Sequence, residues 1–164
     1  MLDTFPLAEG HVLFSSKKHY GCFGDLPEKM KKEVENFLIS LSYKKIIYEH
    51  GRAGTCGVNF NACEHFHINI VPSEQEFDYQ LDSIPINSLR DIDEYYHEYG
   101  EYLLLSSPGY SLIQTNKTIP PHFLRTLVAK HIGKEERANW GSINDLTLFT
   151  KSLAKAKELY LDIL

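Results

Sequence analysis

The sequence predicts an α+β fold built on an antiparallel sheet, within one domain that spans residues 1–164. Short strand-like segments are mixed with amphipathic helical segments, and hairpins stand where a parallel sheet would need helical crossovers. A length of 164 residues, of which 43% are hydrophobic and 24% charged, suits a single domain with a full core.

The first helix is the most clearly marked element. "HVLFSS" (11–16) is typical of a strand, and "DLPEKMKKEVENFLISL" (25–41) then predicts a helix. Asp25 is placed to cap its amino end together with Glu28, and Pro27 suits its first turn. The helix carries an apolar stripe made of Met30, Val34, Phe37, Leu38 and Leu41.

Two strands and a long loop follow this helix. "KKIIYEH" (44–50) predicts a strand, and "GRAGTCGVNFNAC" (51–63) predicts a loop because it is rich in Gly and Asn. "CEHFHINIVP" (63–72) predicts a second strand, which Pro72 ends. We expect residues 73–87 to form an irregular link.

The C-terminal half predicts two short helices, a hairpin and a closing helix. "EYLLLSSPGYSLIQT" (101–115) predicts a hairpin that turns at its "PG" pair. "PHFLRTLVAKHIG" (121–133) predicts a short helix, and "NDLTLFTKSLAKAKELYLDIL" (144–164) a closing amphipathic one. Before the hairpin, "SLRDIDEYYHEYG" (88–100) predicts a helix, one side of which carries Leu89, Ile92, Tyr95, Tyr96 and Tyr99.

Charge, hydropathy and cysteine count narrow the class of protein. A net charge of −5 argues against binding to a nucleic acid polymer, whereas a small phosphorylated ligand needs only a local cluster of donors. Without an apolar run of about 18 residues or the features of a signal peptide, we expect a cytoplasmic protein with no membrane segment. Cys22, Cys56 and Cys63 lack CxxC spacing, which favours free thiols over a disulfide framework.

The strand in "CEHFHINIVP" has one polar face and one apolar face, because successive side chains of a strand point to opposite sides. The polar face carries His65, His67 and Asn69, about 7 Å apart from one to the next. The apolar face is formed by the residues between and after them, Phe66, Ile68 and Ile70.

Three interpretations of the polar face compete. The plainest is a pair of half-exposed histidines on a solvated face. The second is a metal site with Cys63 or Cys56, which is weak because no fourth ligand stands at a usual spacing. The third is phosphate chemistry, since a neutral imidazole can attack phosphorus if an acceptor holds its other ring nitrogen as the proton-bearing one.

The third interpretation gains support from a family resemblance. "HFHINIVP" resembles the signature of the histidine triad superfamily, and "EGHVLFSSKKHYGCFGDLPEKMKKEVENFL" is similar to its "GHxLxxPKxH" strand and "DLP" helix. "IIYEHG" with the Gly-rich loop, and "PPHFLRTLVAKHIGKEERANW", resemble segments of a bacterial branch of histidine triad-like proteins. The resemblance extends from Pro6 to Trp140.

The resemblance implies a histidine triad-like fold, a sheet of about five strands packed with helices, with an additional C-terminal hairpin and helical segment, in a homodimer. The core spans about 6–115 and the C-terminal helical extension about 116–164. It implies hydrolysis or transfer at the α-phosphate of a nucleotide, with no cofactor or metal ion. His67 would be the nucleophile that forms a nucleotidyl-histidine intermediate, and His65 would orient the site. His11 would support the same substrate-binding network, and Asn61 would contact phosphate.

Two departures from the superfamily change these expectations. Asn69 stands where the hydrolases have a third histidine and the transferases have Gln, which points to a transferase-like or weakened site. The stretch before "GHVL" is shorter than usual, so we expect a nucleoside pocket that is incomplete, altered or supplied by a partner subunit. The alternative is a catalytically silent nucleotide-binding or dimerisation module.

Two further residues are secondary candidates. His50 precedes the loop and is weighed as a member of the site. Arg125 either supplies a fixed positive charge to the substrate or, as is more usual, forms an ion pair on the surface.

Overall fold

A computed structural model of the chain describes residues 1–52, 65–75, 77, 83–106, 109–113, 122–139 and 146–160. The described strands are β1 (Val12–Ser15), β2 (Lys45–Arg52), β3 (His67–Pro72), β4 (Ser83–Ile86), β5 (Glu101–Ser106) and β6 (Tyr110–Ile113). The described helices are α1 (Glu28–Ser40), α2 (Asp91–Tyr99), α3 (Phe123–His131) and α4 (Leu146–Tyr160).

The six strands form one sheet in the order β1-β3-β2-β5-β6-β4, and each pair of neighbouring strands is antiparallel. The predicted α+β class and antiparallel sheet are therefore confirmed, with six described strands where about five were expected. β3 lies between β1 and β2, and the predicted hairpin is the pair β5 and β6.

The prediction of an irregular link over 73–87 was wrong at its end. Residues Ser83–Ile86 form β4, which pairs with β6 at one edge of the sheet. Pro85 is tolerated there because an edge strand has only one neighbour to bond. The segment "SIPI" is too short to show a strand period, so the sequence carried little signal for it.

The predicted cap of α1 was also wrong. The helix begins at Glu28 after Pro27, and no side chain caps it. Asp25 instead ends a short 3-10 turn, where its carboxylate accepts hydrogen bonds from the backbone N–H of Gly21 at 3.0 Å and from the hydroxyl of Tyr96 at 2.9 Å. The side chain of Asp25, which the local pattern assigned to α1, thus binds a residue of α2 instead.

Both faces of the sheet are covered. The face that carries His67 and Asn69, which we call the histidine face, packs against the N-terminal segment at Leu7 and against α3 at Leu124 and Val128. The opposite face packs against α1 and α2, and its buried cluster includes Phe66, Ile68 and Ile70 from β3, as the alternation of that strand predicts. The histidine row, which is formed by His65, His67 and Asn69, thus lies at the border of the layer that packs on the histidine face.

Among the helices that the structure describes, none combines the length and the apolar character needed to cross a membrane.

Candidate active site

His67 is the first residue of β3 and is partly buried, opposite Ser15 of β1. Its Nδ1 lies 3.0 Å from the carbonyl oxygen of His65. A carbonyl oxygen can only accept, so in the neutral ring Nδ1 carries the proton and Nε2 carries the lone pair. His67 therefore meets the chemical condition for an imidazole nucleophile.

In His65, as in His67, Nδ1 is the ring nitrogen that faces a carbonyl oxygen. Its Nδ1 lies 3.0 Å from the carbonyl oxygen of Ser16, and Ser16 in turn donates its backbone N–H to the carbonyl of Phe66 at 3.0 Å. Its ring also packs at a tilt of 40° against that of His19, with centroids 4.3 Å apart. The stretch just before β3 is thus fastened to the chain that follows β1, which fixes the carbonyl that orients His67.

Asn69 is held by His11. The Nδ1 of His11 accepts the backbone N–H of Leu7 at 3.1 Å, so the ring proton is on Nε2, which donates to Asn69 Oδ1 at 3.2 Å. Both side chains are buried. His11 is fully enclosed, so in this conformation it reaches a substrate only through Asn69.

Burial keeps His11 neutral. Loss of solvent lowers the pKa of His11 to about 4, although the nearby carboxylate of Asp3 raises it. Asp3 Oδ2 lies 3.6 Å from His11 Nδ1, but no ion pair forms at neutral pH because the ring is uncharged. The His11 to Asn69 hydrogen bond therefore keeps one direction over the physiological range.

Arg125 has a different role from either one considered above. It is buried on α3, where it donates from Nη1 to Asp3 at 3.0 Å and from Nη2 to the carbonyls of Phe5 and of Arg137, the latter at 3.1 Å. The expected surface ion pair is therefore corrected to a buried one. Arg125 joins α3 to the N-terminal segment that carries His11.

A buried carboxyl lies behind the histidine row, and sequence reasoning missed it. Glu49 of β2 projects from the opposite face, where it accepts hydrogen bonds from the hydroxyl of Tyr102 at 2.7 Å and the N–H of Phe23 at 2.9 Å. Burial raises the pKa of Glu49 to about 7, while those two hydrogen bonds lower it. Alternation along "IIYEH" could have predicted its burial but not its partners.

Two more side chains of the histidine face come from β2. Tyr48 lies directly opposite Asn69 in the register of β2 with β3. His50 lies further along the same face, and its Nε2 is 2.7 Å from Oε1 of Glu101 on β5. The side chains of this pair are 21% and 32% exposed, so both are partly accessible to solvent in the described structure.

The predicted phosphate contact of Asn61, and the metal alternative with Cys56 and Cys63, lie outside the described residues. Within the described part of the chain, no group of three or more His, Cys, Asp and Glu side chains is arranged to hold a metal ion. Cys22 is a free, buried thiol, as expected. Burial, followed by the nearby carboxylate of Glu49, raises the pKa of Cys22 to about 11, which keeps the thiol protonated and unreactive at neutral pH.

Comparison of the sequence with models of known protein families found no match, and comparison with curated proteins found none either. The resemblance to the histidine triad superfamily therefore rests on the motifs quoted above. The geometry adds to them an imidazole, that of His67, whose Nδ1 faces a carbonyl oxygen beside a second oriented histidine and a fixed amide.

Proposed function

We propose that the protein is a histidine triad-like enzyme that cleaves or transfers at a phosphate of a nucleoside phosphate, dinucleoside polyphosphate or nucleoside phosphoramidate. His67 attacks phosphorus through Nε2 and forms a nucleotidyl-histidine intermediate. The proposal includes a cytoplasmic homodimer that needs no metal ion or other cofactor, which rests on the sequence and the resemblance alone.

The observation that carries the proposal is the hydrogen bond from His67 Nδ1 to the carbonyl of His65. It places the lone pair on Nε2, the ring nitrogen that points away from the backbone of β3. An imidazole in this state divides one difficult substitution into two easier ones, because the nucleotidyl group first moves to nitrogen and then to an acceptor. His65, fixed by Ser16, keeps that carbonyl in place.

Asn69 bears on the kind of reaction. Its carboxamide cannot exchange a proton near neutral pH, and its Oδ1 is occupied by His11. A site of this kind favours transfer to an acceptor over rapid hydrolysis. The same observation favours the second candidate function, a silent nucleotide-binding or dimerisation module in which the loss of the third histidine has removed turnover.

Turnover by wild type and by the His67→Ala variant tests the proposal. Each protein is incubated with an adenylyl phosphoramidate and with a dinucleoside polyphosphate, and nucleotide binding is measured in parallel. We expect His67→Ala to lower the rate by about 1,000-fold or more while binding is retained, because the nucleophile is lost. His97→Ala, which removes an exposed imidazole from α2, is the matched control and keeps the wild-type rate.

The outcomes separate the candidates. A wild-type rate in His67→Ala would exclude His67 as the nucleophile. Binding without product from either protein would favour the silent module. A rise in hydrolysis in Asn69→His would identify Asn69 as the residue that limits hydrolysis, and quenched wild-type enzyme should carry an acid-labile nucleotidyl group on His67.

A further inference from the structure

A second imidazole, that of His50, lies on the histidine face of β2, the strand next to β3. β2 pairs with β3 in a register that sets Tyr48 opposite Asn69. That is the last pair of described residues between the two strands. His50 lies two residues beyond Tyr48 and His67 two residues before Asn69, so both belong to the histidine face just past the end of the paired stretch.

A carboxylate on the next strand orients this imidazole. β5 sets Leu103 opposite His50, and Glu101 lies two residues along β5, hence on the same face. The distance of 2.7 Å from His50 Nε2 to Glu101 Oε1 is that of a strong, charge-assisted hydrogen bond. The carboxylate turns the ring so that Nε2–H points to it, and it stabilises the imidazolium whenever His50 takes up a second proton.

The third position of the row does not supply a proton carrier for the reaction of His67. The third position of the row is Asn69, whose oxygen accepts from the neutral ring of His11, and neither group exchanges protons with a substrate. We propose that His50, oriented by Glu101, is the general acid and base for the reaction of His67. This inference rests on the proposed function and adds to it the residue that moves the proton.

The reaction has two steps. In the first, His67 Nε2 forms a bond to phosphorus, the bond from phosphorus to the leaving group breaks, and the leaving atom takes a proton from the His50 imidazolium. In the second, the oxygen of water bonds to phosphorus, the N–P bond breaks with its electron pair returning to Nε2, and a proton of the water passes to His50. The products are the free leaving group and a nucleoside monophosphate.

Leaving groups of different basicity test this assignment. The p-nitrophenyl and methyl esters of adenosine 5′-monophosphate serve as probes, because p-nitrophenolate leaves without a proton whereas methoxide needs one. We expect His50→Gln, which keeps a hydrogen bond to Glu101, to slow cleavage of the methyl ester by roughly 100-fold or more. The same variant should slow the initial burst of p-nitrophenol by less than about 10-fold.

Two more variants complete the design. Glu101→Gln keeps the size of the side chain and should lower kcat for the methyl ester with little change in KM, because Glu101 acts through His50 and not on the substrate. It also supplies a second test if His50→Gln folds poorly. His97→Gln, the same substitution at an exposed position of α2, should leave both rates unchanged.

The outcomes distinguish this inference from the proposed function. If His67→Ala abolishes both reactions while His50→Gln slows the two esters equally or not at all, His50 is not the proton carrier and the function stands. If His67→Ala turns over both esters at the wild-type rate, or wild type turns over neither, the proposed function and this inference fail together. Selective loss of methyl ester cleavage in His50→Gln supports the assignment.

Discussion

Replacement of Glu49 by glutamine tests whether burial raises the pKa of this carboxyl. Glu49 is 2% exposed, and its two oxygens accept from the Tyr102 hydroxyl and the Phe23 N–H. Gln keeps the volume and one acceptor oxygen but cannot ionise. The variant therefore resembles the protonated state of the wild type at every pH.

The size and sign of the effect follow from the pKa. An unfolded carboxyl of this type ionises near 4.5, whereas burial raises the pKa of Glu49 in the folded protein to about 7. Between these values the native state binds more protons, so the free energy of unfolding falls as the pH rises, and the loss is complete above about pH 7. At about 1.36 kcal/mol for each pH unit, wild type loses about 3 kcal/mol relative to Glu49→Gln.

The assay is urea unfolding of both proteins at intervals from about pH 4 to about pH 8.5. The quantity of interest is the difference in the free energy of unfolding, because other titrations are common to both proteins and cancel. The main one is His11, whose pKa falls from 6.5 to about 4 on burial and whose effect has the opposite sign: it favours the fold as the pH rises.

A difference that grows in favour of Glu49→Gln between pH 4.5 and 7 and then levels off supports this account. Glu94→Gln, which removes an exposed carboxyl from α2, is the matched control for loss of a surface charge. A difference in the free energy of unfolding between the two proteins that stays constant within about 0.5 kcal/mol over the whole pH range would refute the reasoning. The buried carboxyl would then ionise equally well in the folded and the unfolded state.

Two further substitutions give stability predictions from contacts already described. His11→Leu should lower the free energy of unfolding by about 2–4 kcal/mol, as measured by urea unfolding, because it leaves the Leu7 N–H and Asn69 Oδ1 buried without partners. A loss below about 0.5 kcal/mol would contradict this prediction. Gly51→Ala should lower the free energy of unfolding by about 2 kcal/mol or more in the same assay, because the added Cβ would lie 2.1 Å from the ring of the buried Tyr102. An unchanged urea midpoint would contradict this prediction and show that the ring can move aside.

The buried faces of the periodic helices and strands were predictable, because the geometry of each element alone determines which of its side chains share a face. The stripe of α1 predicted that Val34 and Leu38 are buried, and they are 1% and 3% exposed. The alternation of β3 predicted that Phe66 and Ile68 share a buried face, which the core cluster of the opposite face shows.

The errors came from partners that are distant in sequence. Asp25 lies where a helix cap is expected, yet its carboxylate bonds Tyr96, which is 71 residues away. Arg125 has the position of an exposed helical residue, yet it is buried because the N-terminal segment brings Asp3 to it across 122 residues. No local pattern carries information about either contact.

The sequence by itself determined the order of chemical groups along β3, because alternation in a strand sets which side chains share a face. Only the tertiary structure decided the chemical state of those groups. The proton of His65 is placed by Ser16, and the oxygen of Asn69 is occupied by His11, over separations of 49 and 58 residues. Neighbouring strands also decided that His50 and Glu101 join the same face, because the pairing of strands, and not the spacing along one of them, determines which side chains meet.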